Sequence, residues 1–168
     1  MDLLLPGELA IRMGAAVVVG GVIGLERQRK HRPAGLRTMI LISLGSAAFM
    51  TVAHDVVAMA GEGTIPGGSA SGAADVSRAL QGLIGGIGFL GAGAVIQNKH
   101  AVHGLTTAAA VWVTAAMGAA CGLGLYSTAL IATGFALFTL WGLKIVEGRF
   151  APLPEEKSEG DGVGRERM

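Results

Sequence analysis

From Gly104 to Leu143 the chain runs for 40 residues without a single Asp, Glu, Lys or Arg. A helix that crosses a bilayer needs about 20 mostly apolar residues, within a range of about 17 to 25. Forty is too long for one crossing and right for two. Gly122-Leu123-Gly124 in the middle supplies the break, because glycine suits a tight reversal. Two more charge-free stretches run from Ala79 to Asn98 and from Thr38 to about Ala53. Met13 to Leu25 is uncharged but too short alone, so the first helix starts near Gly7 and takes in Glu8 and Arg12. Their i,i+4 spacing lets them pair and snorkel toward one surface. Asp2 and Glu8 precede this apolar run where a cleaved signal would need cations, so the helix reads as retained.

The expected architecture is an all-α membrane protein, a bundle of five transmembrane helices over residues 1–149 with spans of about 7–25, 38–54, 79–97, 105–121 and 125–144. Composition agrees. Only 15% of the 168 residues are charged, where a soluble domain carries about a quarter, and the mean hydropathy is +0.57. A formal net charge of +1 leaves no nucleic-acid footprint, and the single Cys121 cannot form an internal disulfide. Orientation follows from where the cations sit. Arg27, Arg29, Lys30, Arg32 and Arg37 crowd eleven residues of the first loop, whereas the second, about Asp55 to Arg78, holds three acids and one cation. Lys99, Lys144 and Arg149 keep the alternation, which puts the N-terminus outside and the C-terminus in the cytoplasm. Tyr126 and Trp141 fall near opposite ends of the fifth span, as interfacial aromatics should. The Gly-rich second loop reads as a flexible external segment, and 150–168 as a disordered tail.

Glycine is the next signal, at 28 residues. Each costs a helix about 1 kcal/mol relative to alanine in water, but small residues let helix backbones touch in lipid. Gly20/Gly24, Gly82/Gly86 and Gly118/Gly122 have the small-xxx-small spacing, and Gly88, Gly91 and Gly93 extend the third span's glycine surface. The alternative for Gly85-Gly86-Ile87-Gly88 is a locally unwound helix that exposes carbonyls to an ion. On the fourth span His100, His103, Thr107, Thr114 and Cys121 share one face by spacing, a stripe that faces other helices. Trp112 falls inside the bilayer, where its N–H needs a buried partner.

Charge clusters at two places. Pro33-Ala34-Gly35 turns the chain into the second span, which puts Arg37 and Thr38 in a first helical turn whose free amides favour an anion, with Glu26 placed to pair with Arg37. The same cations attract anionic lipid, by about 1 kcal/mol each near the surface. Asp75 reads as the N-cap of the third span, with Arg78 beside it, or as an outward cation contact. One carboxylate is thin for Mg²⁺, and His100/His103 lack the neighbours that complete a metal site. No nucleophile elbow, paired carboxylates, phosphate loop or HExxH occurs, so neither a catalytic residue nor a cofactor is expected.

Ile23-Gly24-Leu25-Glu26-Arg27-Gln28 followed by Pro33-Ala34-Gly35-Leu36-Arg37-Thr38 resembles the opening of the MgtC/SapB family. Gly88-Phe89-Leu90-Gly91-Ala92-Gly93, then Gly104-Leu105-Thr106-Thr107-Ala108-Ala109, Trp112 and Cys121-Gly122-Leu123-Gly124, look like its central signature. Together they cover about residues 20 to 126 in the family's order. The resemblance implies a bacterial inner-membrane protein with a five-helix N-terminal domain, linked to growth at low Mg²⁺ and, in pathogens, to virulence through restraint of the proton-driven ATP synthase. It implies functional roles at Glu26, Arg27, Arg37, Thr38, Asp75, Arg78, Thr106 and Thr107. Two departures stand out. The virulence members carry a cytoplasmic ACT-like domain, which this sequence does not include, and the family's Asp-Pro-Ser-Arg reads Asp75-Val76-Ser77-Arg78.

The expected function is a non-enzymatic modulator of Mg²⁺ homeostasis or of a membrane partner, working in the lipid bilayer with another membrane protein or as a homo-oligomer. The alternative is a transporter or channel for Mg²⁺ or another ion. Against it, the last three spans hold no charge along a path, and five helices do not divide into two equal inverted repeats.

Overall fold

The computed structural model describes residues 4–61, 72–98 and 101–150. The described residues form five helices: α1 (Pro6–Arg29), α2 (Leu36–Gly61), α3 (Gly72–Gly93), α4 (Leu105–Gly122) and α5 (Tyr126–Phe150). Between α3 and α4 lies a two-stranded antiparallel hairpin, β1 (Ile96–Asn98) and β2 (Ala101–His103), with Ile96 opposite His103. Among the described residues three helices are long and apolar enough to cross a membrane, namely α1, α2 over Leu36–Met59, and α4; α5 is apolar over the shorter stretch Tyr126–Gly142. Leu41, Phe49, Phe89, Leu130 and Phe135 are all exposed on the outside of the bundle. That surface suits hydrocarbon rather than water.

The helix ends follow local chemistry. Pro6 opens α1, where its fixed φ suits the first turn and its missing N–H costs nothing. The turn from α1 to α2 places His31 and Ala34 at positive φ (49° and 57°), and the Gln28 side-chain oxygen accepts the first α2 amide, that of Leu36, at 3.2 Å. Gly124, at φ 76°, ends α4 with paired bonds from Leu125 N–H to Ala120 O and from Gly124 N–H to Cys121 O. This is the Schellman arrangement, which needs a left-handed residue at that point. Gly104 opens α4 at φ 90°, where a Cβ would stand 2.1 Å from the Ala94 oxygen.

The middle of the bundle is α2, packed on α1, α3 and α4. Its backbone lies directly on glycines. A Cβ on Gly20 would come within 2.7 Å of the Met39 oxygen, and one on Gly24 within 2.7 Å of the Leu36 α-carbon. On the other side, Gly118 faces Ser43 and Gly122 faces Ala47, where a Cβ would stand 2.2 and 2.4 Å from the respective carbonyl oxygens. The pairing runs in opposite directions along α1 and α2 and in the same direction along α2 and α4, so α1 and α4 are antiparallel around a shared neighbour. Ile23, Met39, Ile87, Val111 and Met117 fill the core, and Ser43, Ser46, Thr107 and Thr114 are buried with them.

Several expectations change. The third helix stops at Gly93 instead of reaching 97, because Gly93, Val95, Ile96 and Asn98 are weak helix formers and the chain turns into the hairpin. His103 therefore lies on β2 and not on α4, and His100 is outside the described residues. The second connection is shorter than expected, since α2 continues to Gly61 and α3 begins at Gly72; the residues between, like the tail after Phe150, are outside the described residues. The helix α3 is continuous, so Gly85-Gly86-Ile87-Gly88 is not unwound.

The glycine contacts make an opposed pair of predictions. Gly118→Ala forces its Cβ into the Ser43 carbonyl and lowers stability by about 1–3 kcal/mol, the range for overpacking. Gly86→Ala meets nothing within 4 Å and leaves stability unchanged or raised. Thermal unfolding in detergent separates the two.

Candidate functional site

One face of α1 carries Arg12, Ala16, Gly20, Ile23, Gly24 and Arg27, all buried. The two arginines stand near opposite ends of the helix, roughly 22 Å apart along its axis. A buried guanidinium is costly unless its donors are met, and each of these reaches across to α4. Arg27, 2% exposed, donates through Nη2 to the Thr107 hydroxyl in the first turn of α4 and to the Pro33 carbonyl at 3.4 Å. Arg12, 7% exposed, donates through Nη1 to the Gly122 carbonyl at 2.7 Å and through Nη2 to Glu8. Gly122 is in the last turn of α4, where a cation also meets the negative end of the helix dipole. The Glu8–Arg12 pair forms as its spacing suggests, but Arg12 turns into the bundle and not out to the surface.

Around Arg27 the first turn is organised by short-range pairs. Glu26 pairs with Lys30 at 2.5 Å, one helical turn on, and Lys30 Nζ donates to the Leu140 carbonyl on α5 at 2.9 Å. So Glu26 reaches Lys30 and not Arg37. Arg37 and Thr38 lie in the first turn of α2, as expected, and both are exposed. Arg37 makes no hydrogen bond or ion pair among the described residues. The structure therefore brings Glu26, Arg27 and Thr107 together with Lys30 and Pro33, and leaves Arg37 and Thr38 outside that cluster. Sequence reading missed Lys30 and Gln28; the i,i+4 spacing of Glu26 and Lys30 was the available signal.

At the other end of the bundle Asp75 sits inside the first turn of α3, not at its N-cap, and accepts from Arg78 at 3.3 Å. Asp55, on α2, accepts from the Leu4 amide at 3.2 Å and stands 3.3 Å from His54 Nδ1. Among the described residues no three His, Cys, Asp or Glu side chains converge as metal ligands would.

The packing residues divide. Gly20 and Gly24 sit in close helix contact, and a Cβ on Gly91 would lie 3.9 Å from Ala108, at ordinary contact distance. Gly82, Gly86, Gly88 and Gly93 face open space. Leu83, Ile87 and Gly91 form the inward stripe of α3 at four-residue spacing, so Gly82 and Gly86 are turned about 100° away from it. Thr107 is buried while Thr106 is exposed. Trp112 is half exposed and lines an apolar groove with Leu83, Ile84 and Ile87, so its ring meets the outside of the bundle and not a buried partner.

A model of the MgtC family matches residues 13–149. SrpB of Synechococcus elongatus is 44% identical over 144 residues, covering 81% of this chain and 75% of its own length. MgtC of Brucella abortus is 40% identical over 74% of this chain, and Escherichia coli K12 YhiD, named as a candidate magnesium transporter, 38% over 79%. The chain spans 47% and 59% of those two relatives. No solved structure matches.

The contacts of Arg27 predict a contrast. Thr107→Val removes the α4 acceptor of a buried cation, leaving it the longer bond to Pro33, and lowers stability in detergent by about 1.5–3 kcal/mol. Arg37→Ala, at an exposed and unbonded position, changes it by less than about 0.5 kcal/mol. Unfolding followed by circular dichroism reads both.

Proposed function

Because the chain belongs to the MgtC family, we propose that it is a five-span protein of the bacterial inner membrane that modulates Mg²⁺ homeostasis, or a membrane partner such as ATP synthase, without catalysing a reaction. The five cations of the first turn favour the cytoplasm for that side, with the N-terminus outside and the C-terminus inside. One observation carries the modulator reading. The helix α3 keeps Gly82, Gly85, Gly86 and Gly88 on a surface that nothing in the described chain covers. Lipid gains little from glycine, whereas another transmembrane helix gains close backbone contact. The buried charges support the same reading, since Arg12 and Arg27 are held by carbonyl, hydroxyl and carboxylate groups of this chain instead of lining an open path.

Transport is the second reading, favoured by the name of the E. coli relative. Proteoliposomes loaded with a Mg²⁺-sensitive dye separate the two. The modulator reading expects no influx above empty vesicles; an influx that Asp75→Ala abolishes replaces it with transport. In cells, Gly86→Leu is expected to keep abundance while losing whatever membrane protein copurifies with the wild type in mild detergent. For orientation, a reporter fused after Arg149 is expected to be active only in its cytoplasmic form.

A further inference from the structure

We infer that the groove between α4 and α5 binds one acyl chain of an anionic phospholipid, whose phosphate is held at Lys30. The groove has a volume of about 390 Å³ and is almost wholly apolar. Ile23 of α1 closes its floor, and Ala109 and Val113 face Ala136 and Phe135 across it. Along α4 it extends from Thr106 to Met117, about 16 Å at 1.5 Å per residue. The hydrocarbon core of a bilayer is about 30 Å thick, so this is the depth of one leaflet. A slot of that length suits a single lipid tail entering from one side.

The side is set by charge. The groove ends at Thr106 and Leu140, and the Leu140 carbonyl is the one that Lys30 bonds at 2.9 Å. An ammonium has three N–H donors. Glu26 takes one, Leu140 another, and the third is uncommitted among the described residues, on a side chain that is 25% exposed. Arg29 and Arg32, both exposed, flank it in the same turn. With Arg27 buried and committed to α4, Lys30, Arg29 and Arg32 set three accessible cations beside a single acid, Glu26, which is the complement of a phosphodiester. Two further grooves, on either side of α3, begin beside the Asp75–Arg78 pair, where the charges are of both signs. Of these three, only the α4–α5 groove joins an apolar slot to a net positive end. The inference goes beyond the modulator reading and does not rest on it, since a transporter would hold the same lipid.

The full chain in mild detergent, titrated with phosphatidylglycerol and with phosphatidylcholine of identical tails and read by native mass spectrometry, tests it. Phosphatidylglycerol is expected to be retained at least about fivefold better, the ratio that about one cation supplies. Lys30→Gln is expected to bring that ratio to about one, and Arg78→Gln to leave it unchanged. Ala109→Phe, at an exposed position lining the slot, is expected to lower phosphatidylglycerol occupancy by a similar factor. Equal retention of the two lipids by the wild type overturns the proposal, whatever the variants do. So does undiminished occupancy in Ala109→Phe, which would place the lipid on the basic turn alone. A dimer that Ala109→Phe dissociates without loss of lipid would assign the groove to a second copy and also refute it.

Discussion

Close backbone contact at glycine is what the bundle depends on. In lipid there is no hydrophobic drive to bring helices together, because the solvent is as apolar as the side chains. Attraction then comes from atoms packed at short range, and a Cβ in the wrong place forbids it. Here α2 lies on Gly20 and Gly24 of α1 and on Gly118 and Gly122 of α4, with the absent Cβ positions 2.2 to 2.7 Å from its backbone. No side chain larger than hydrogen fits at these four places. The core beyond them is built mainly of small residues and methionines, such as Ala16, Ala47, Ala120, Met39 and Met117, which is what three closely spaced helices leave room for.

Two arginines then fix the lengthwise register that glycine contact leaves loose. Gly20 and Gly24 are one helical turn apart, so a slide of one turn along α2 would offer a similar surface. Arg12 and Arg27 remove that freedom, because one meets the last turn of α4 and the other its first turn. Each guanidinium is buried, and a shift of either helix would take away its acceptor on α4 and leave Arg12 with Glu8 and Arg27 with Pro33 alone. Directional contacts to charged groups are strong where water is excluded. The tight α4–α5 turn adds the third constraint, and Lys30, bonded to Leu140, ties α5 back to the end of α1.

The inner contacts leave the outer surface with distinct faces. The glycine face of α3 is open, with nothing within 4 Å of a Cβ built on Gly82, Gly85, Gly86 or Gly88; the slot between α4 and α5 is open and ends in cations. These lie on different helices, so the proposed helical partner and the proposed lipid need not compete. The exposed arginines of the first turn, Arg29, Arg32 and Arg37, belong to neither the core nor the buried cluster, which leaves them available to the membrane surface.

Much of this was legible in the residues. Forty uncharged positions with a Gly-Leu-Gly break specify α4, its turn and α5, because each uncompensated charge in hydrocarbon is so costly that its absence is informative. The pairs Gly20/Gly24 and Gly118/Gly122 were visible from spacing, as was the placing of Arg37 and Thr38 in the first turn of α2. Spacing equally suggested Gly82/Gly86, which the structure leaves unpacked within the described chain. Periodicity states which residues share a face of a helix; it does not state which face meets a neighbour. The same limit explains Glu26 choosing Lys30 over Arg37, Arg12 turning inward, and the hairpin that displaces His103 from α4. The sequence by itself determined a helical membrane protein, the glycines available for contact and the basic turn, since solvent and backbone chemistry act residue by residue. Only the tertiary structure decided which glycines are used, which charges are buried and which grooves stay open, because those depend on how each helix is rotated about its axis against the others.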